Sequence, residues 1–88
     1  MNDRYHAAKR RYPALTQRFD DQQQFLGYSL PLWAPGGKTW CTVHLDDKFR
    51  VFWSDGWECI WHWKDHGIFR VVHHGPATYG ASTFFLHF

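Results

Sequence analysis

Seven histidines and two cysteines are the side chains of this 88-residue chain best suited to chemistry, and metal ligation is the first chemistry they suggest. Structural zinc takes closed sets of Cys and His, arranged as tight pairs with short internal spacing. Cys41 and Cys59 form no such pair, and no CxxC occurs. His62 and His66 have a ligand-like spacing, but they span a strand end and a turn in the reading below. The expectation is no metal and no cofactor, with both thiols reduced and buried.

A nucleophile, base and orienting acid can be drawn from Cys59, His73 and Asp55. The thiol and the imidazole, however, fall on an otherwise apolar strand face, where a thiol has a raised pKa and poor access. Asp46, Asp47, Asp55 and Asp65 all lie in short turn-like segments, where aspartate shapes the backbone. The chain has no paired inward carboxylates, phosphate-binding glycine loop or serine elbow. These patterns point away from an enzyme and toward binding.

Binding would draw on the aromatic residues. Six Trp, eight Phe and four Tyr make up 20% of the chain. A chain of this length buries only roughly 60% of the surface its unfolded form exposes. Side chains that each bury about 150–250 Å² offset that handicap without disulfide or metal. Aromatics beyond the needs of the core would make a sticky surface.

Charge is uneven. Residues 1–18 carry Arg4, Lys9, Arg10, Arg11 and Arg18 against Asp3, a local +4, whereas residues 19–88 are net −2. The basic head, with Lys9, Arg10 and Arg11 at its centre, suits nucleic acid or an acidic protein surface. MNDRYHAAKRR has no apolar segment behind its charges, and no stretch approaches the roughly 20 apolar residues of a membrane span. A cytoplasmic protein with no membrane partner is expected.

The elements that must position these groups follow from periodicity. Tyr5, Ala8, Tyr12, Leu15, Phe19 and Leu26 recur at helical spacing, which predicts helical structure over 1–26, capped by Asn2 or Asp3 and divided at Pro13. Residues 27–37, GYSLPLWAPGG, read as a Pro/Gly-rich connector with Leu30, Leu32 and Trp33 pinned to the core. From Lys38 the period becomes two. KTWCTVHL, FRVFW, WECIWHWK and IFRVVHH are separated by DDK, SDG and DHG, which predicts three hairpins. Residues 75–81 read as a turn, and STFFLHF as a last strand that docks.

Three-residue loops set a register: Leu45 opposite Phe49, Trp53 opposite Trp57, Lys64 opposite Ile68. One face then carries Cys41, Val43, Leu45, Phe49, Val51, Trp53, Trp57, Cys59, Trp61, Trp63, Phe69, Val71 and His73, twelve of thirteen apolar, and reads as the core. The other interleaves Trp40, Phe52 and Ile60 with Arg50, Arg70 and three histidines. The prediction is one α+β domain over 1–88, with helical segments packed on one face of a four- to five-stranded antiparallel β-meander over 38–88.

The mixed face suits a protein interface, where Trp and Arg are favoured anchors. The expected activity is inhibition of a larger protein or ribonucleoprotein complex, of the kind viral and mobile-element genes encode. Trp40, Arg50, Phe52, Ile60 and Arg70 are the predicted binding residues, assisted by the basic head. The alternative is single-stranded nucleic acid, with bases stacked on the aromatics. The same face could also join two copies of the chain as a homodimer.

Overall fold

A computed structural model describes residues 3–33, 40–74 and 82–88. Its elements are α1 (Asp3–Arg11), β1 (Thr16–Phe19), β2 (Phe25–Trp33), β3 (Trp40–Leu45), β4 (Val51–Ser54), α2 (Trp57–Asp65), β5 (Phe69–His73) and β6 (Ser82–Leu86). The strands β1-β2-β3-β4 form an antiparallel sheet in sequence order, and β5 pairs with β6 in a second ribbon. The α+β class and the meander are as predicted, but the meander begins some twenty residues earlier, at Thr16 rather than Lys38. The proposed Asn2 cap, the connector residues 34–37, the first two residues of KTWCTVHL and the turn 75–81 lie outside the described residues.

The N-terminal segment is not helical throughout. Helix ends at Arg11, because Pro13 resists helix continuation and its ring restricts the residue before it. Tyr12 and Leu15 still reach the core, so the early part of the helical-looking stripe is real burial in a different backbone. Phe19 and Leu26 are exposed instead. Between them Asp20 folds the chain back: its Oδ1 accepts the N–H groups of Gln22 and Gln24 at 2.8 and 2.9 Å. Gln23 takes a left-handed φ of 63° in that turn.

Residues 27–33 are not connector but most of the central strand β2, which pairs with β1 on one side and β3 on the other. Pro31 is tolerated because β1 begins opposite Ser29, so the strand beyond that point is paired on one side alone. Gly27 is obligatory. It sits beside a bulge at φ 132°, and an added Cβ would collide with the Leu45 carbonyl oxygen.

The segment WECIWHWK is the helix α2 rather than a strand. Its tryptophans alternate at period two, but the helix buries Ile60 and Trp63, three residues apart. Its end is a Schellman motif. Gly67, at φ 78°, donates to the Lys64 carbonyl, and Ile68 donates to the Trp63 carbonyl, both at 2.9 Å. DHG is therefore a helix stop, and SDG leads into the helix, where the Ser54 hydroxyl accepts the Gly56 N–H.

The predicted register fails at all three pairs. Leu45 pairs with Val51, not Phe49, while Trp57 and Lys64 are helical. The turn makes the first shift, closing one residue later than predicted with the Asp46 N–H donating to the Arg50 carbonyl; a bulge beyond it then sets His44 opposite Trp53 and leaves Phe52 as the extra residue. On β3 and the start of β4 the core nevertheless lies on the predicted face, since Cys41, Val43, Leu45, Phe49 and Val51 are all buried and Trp53 alone of that stretch turns outward. There Tyr28, Leu30, Val43 and Leu45 meet Ala8 of α1, Ile60 and Trp63 of α2, and Phe69, Phe84 and Leu86 of the β5–β6 ribbon. Tyr28 stacks between Tyr5 and Phe49, at ring distances of 5.5 and 4.4 Å. The last strand docks as expected, with Phe88 edge-on to Phe49 and the Tyr12 hydroxyl donating to the His87 carbonyl.

Candidate functional site

With the helices and the ribbon on the core side, the opposite face of the meander carries no packed element among the described residues. Strand alternation places Trp40, Thr42 and His44 of β3 on that outer face, beside Trp33, Pro31 and Ser29 of β2. Arg18 of β1 lies on it opposite Gly27. The β4 bulge then sends two consecutive side chains, Phe52 and Trp53, outward, while Val51 and Ser54 stay buried.

Two aromatic groups result. Trp33 and Trp40 meet edge to face at 4.9 Å and are 47% and 62% exposed. About 13 Å away along β3, at strand spacing, His44 lies 5.1 Å from the Trp53 ring and 6.2 Å from Phe52. Between them Asp55 is locked in place, its Oδ1 accepting the Thr42 N–H at 2.9 Å. The face is therefore broad, aromatic and sparsely charged, with Arg18 on the β1 edge and the Asp55 carboxylate on the β4 edge.

His44 is the polar weak point. Its Nδ1 is buried with no hydrogen-bond partner among the described residues. Burial first, and the Arg18 charge second, push its pKa below the ordinary 6.5, partly opposed by Asp55. The unfolded chain therefore binds the proton more readily than the folded one. This contribution to stability is present above pH 6.5 and is lost as pH falls through the lowered folded value. Urea melts from pH 7.5 to 5 are expected to show acid destabilisation in the parent chain that is reduced in His44→Gln.

The predicted binding residues do not form one surface. Trp40 and Phe52 are on the outer face, as expected. Ile60 is fully buried under α2 and is removed from the binding set, because the segment is helical and Ile60 points inward. Arg50 pairs with Asp46 at 2.9 Å in the β3–β4 turn and bridges to Phe85. Arg70 lies on the β5–β6 ribbon, 5.9 Å from the same Phe85 ring. These two arginines belong to a separate locus, beside a cleft of about 360 Å³ lined by Asp46, Asp47, Lys48, Arg50 and Phe85.

The basic head is also elsewhere. Because Tyr5 of α1 stacks on core-side Tyr28, Lys9, Arg10 and Arg11 ride on the face of the sheet opposite Trp40. Lys9 is engaged internally, donating to the Leu15 carbonyl at 2.7 Å, and Arg11 lies over the Tyr12 ring. Sequence reasoning missed Trp33, assigned to a core-pinned connector, and Trp53, assigned to the core. The exposed Trp57 and Trp61 of α2 were likewise assigned to the core. Their four-residue spacing puts Trp57 and Trp61 together on one helical face, and it was the signal that could have marked the segment as a helix.

Among the described residues no group of three or more His, Cys, Asp or Glu is placed to hold a metal ion. No helix among the described residues is long and apolar enough to cross a membrane. No protein-family model, curated protein or solved structure matches the chain.

Proposed function

We propose that this protein is a non-enzymatic binding protein that uses the outer face of its meander to occupy a surface on a larger protein assembly. The single observation that carries this reading is the cluster Trp33, Trp40, Phe52 and Trp53, each about half or more exposed on one sheet face. Interfaces concentrate their energy in such rigid aromatics with a flanking arginine, here Arg18, and are depleted of charge at the centre. Inhibition by occlusion, as by an antagonist of viral or mobile-element type, is the action we assign to it. The cytoplasm is the compartment we assign, which suits two free thiols.

Nucleic acid is the weaker reading, because phosphates need a dense positive field beside the stacking platform. The outer face offers Arg18 on one edge and the opposing charge of Asp55 on the other, and the basic head faces away. The test is affinity capture on the tagged chain, with and without nuclease, repeated with a Trp40→Ala/Trp53→Ala chain. A stoichiometric protein that survives nuclease and is lost with the double variant supports the proposal. Recovery of nucleic acid alone, or capture indifferent to the double variant, overturns it.

A further inference from the structure

Cys41 and Cys59 read as distant from each other when WECIWHWK is taken as a strand. The helix brings them together: Cys41 on the inner face of β3 and Cys59 in the first turn of α2 have their sulfurs 3.6 Å apart, as free thiols. A second feature is built around this pair. A Cβ at Gly56 would lie 2.9 Å from the Cys41 Sγ and 3.5 Å from the Cys59 Sγ, so the absent side chain leaves the space the two sulfurs occupy.

We propose that Cys41 and Cys59 are a redox-active dithiol that closes to an intramolecular disulfide by exchange with a small-molecule disulfide. Half-buried Cys59 reacts first, since Cys41 is only 8% exposed. The Cys59 thiolate attacks one sulfur of the small disulfide, whose S–S bond breaks to release one small thiol and leave a mixed disulfide on Cys59. The Cys41 thiolate then attacks the Cys59 sulfur and expels the second small thiol. The protein loses two electrons and two protons, and the small disulfide takes up both. The sulfurs must approach by only about 1.5 Å to reach bonding distance.

Cys41 governs the second step. Burial raises its thiol to about 11, helped by its hydrogen bond to Cys59 and by the nearby negative charge of Asp55 and Glu58. Little thiolate is present at neutral pH, so ring closure is slow there and accelerates with alkalinity. The closed bond ties the start of α2 to β3 and constrains the unfolded chain between residues 41 and 59.

The test is incubation of the full chain with oxidised glutathione in native buffer, followed by thiol titration, intact mass and peptide mapping. The expected product has no titratable thiol, a mass lower by about 2 Da, and a single-chain mobility without reductant. Its unfolding midpoint should be raised, and dithiothreitol should reverse both changes. In Cys41→Ser, glutathione should instead accumulate on Cys59, with circular dichroism confirming the fold. If that variant does not fold, the parent's reaction decides alone. Stable glutathione adducts on the parent chain, disulfide-linked dimers, unreacted thiols, or closure only in denaturant would each overturn the proposal.

Discussion

Trp63→Ala is expected to destabilise the domain by about 3–5 kcal/mol, enough to unfold a chain of this size at ambient temperature. Trp63 is 2% exposed, packs near Phe69, and spans the gap from α2 to the end of β2. Its indole Nε1–H donates to the Trp33 carbonyl at 3.2 Å, so alanine removes a large apolar volume and strips that carbonyl of its partner. Trp61→Ala, one residue pair away, should cost much less. Trp61 is 47% exposed, edge-on to Phe84 at 4.9 Å and covered by Lys64. Thermal and urea melts of the two variants should rank them in that order. The reverse order would mean that α2 is rotated or that the segment is a strand after all.

The second large effect concerns binding. Trp53→Ala and Trp40→Ala should each cost about 2 kcal/mol or more of affinity for a captured protein partner, roughly a thirtyfold rise in Kd. Both side chains are about half exposed or more, so their removal should leave the melting midpoint close to that of the parent chain. Arg50→Ala is the control. Its guanidinium is engaged by Asp46 and lies beside Phe85, away from the two aromatic groups, so affinity should change little. A Lys9/Arg10/Arg11 triple change to alanine should act weakly, through the association rate. Isothermal titration at two salt concentrations separates the readings. A steep salt dependence carried by the basic head, with Trp40 and Trp53 silent, would remove the aromatic face from the function.

What could be read from the sequence was the class of fold, the strand β3, the ribbon strands β5 and β6, and the docking of the last strand. Each of these strands has period-two alternation that the folded backbone keeps. Two kinds of element were not legible. In β1 and β2 the aromatic and leucine positions happened to continue the spacing of α1, and Pro31 argued against a central strand that is in fact paired on only one side there. In α2 the series Trp57, Cys59, Trp61 and Trp63 imitated a strand face, although the helix exposes Trp57 and Trp61 and buries Trp63. The candidate site was half legible for the same reason. Trp40 and Phe52 follow from alternation, whereas Trp53 follows from a bulge that only strand pairing reveals.

That bulge has a consequence for how the surface can change over generations. Regular strands bind inside and outside together, since inserting or deleting one residue exchanges the two sides and ruins the interior. At β4 the extra residue has already been absorbed between Val51 and Ser54, both buried. Losing Phe52 would leave Val51, Trp53 and Ser54 to re-pair with interior and exterior unchanged in kind. The number of outward aromatics can therefore be edited at this one position while the folded interior is inherited intact, giving a small chain a way to retune its outer face by length as well as by substitution.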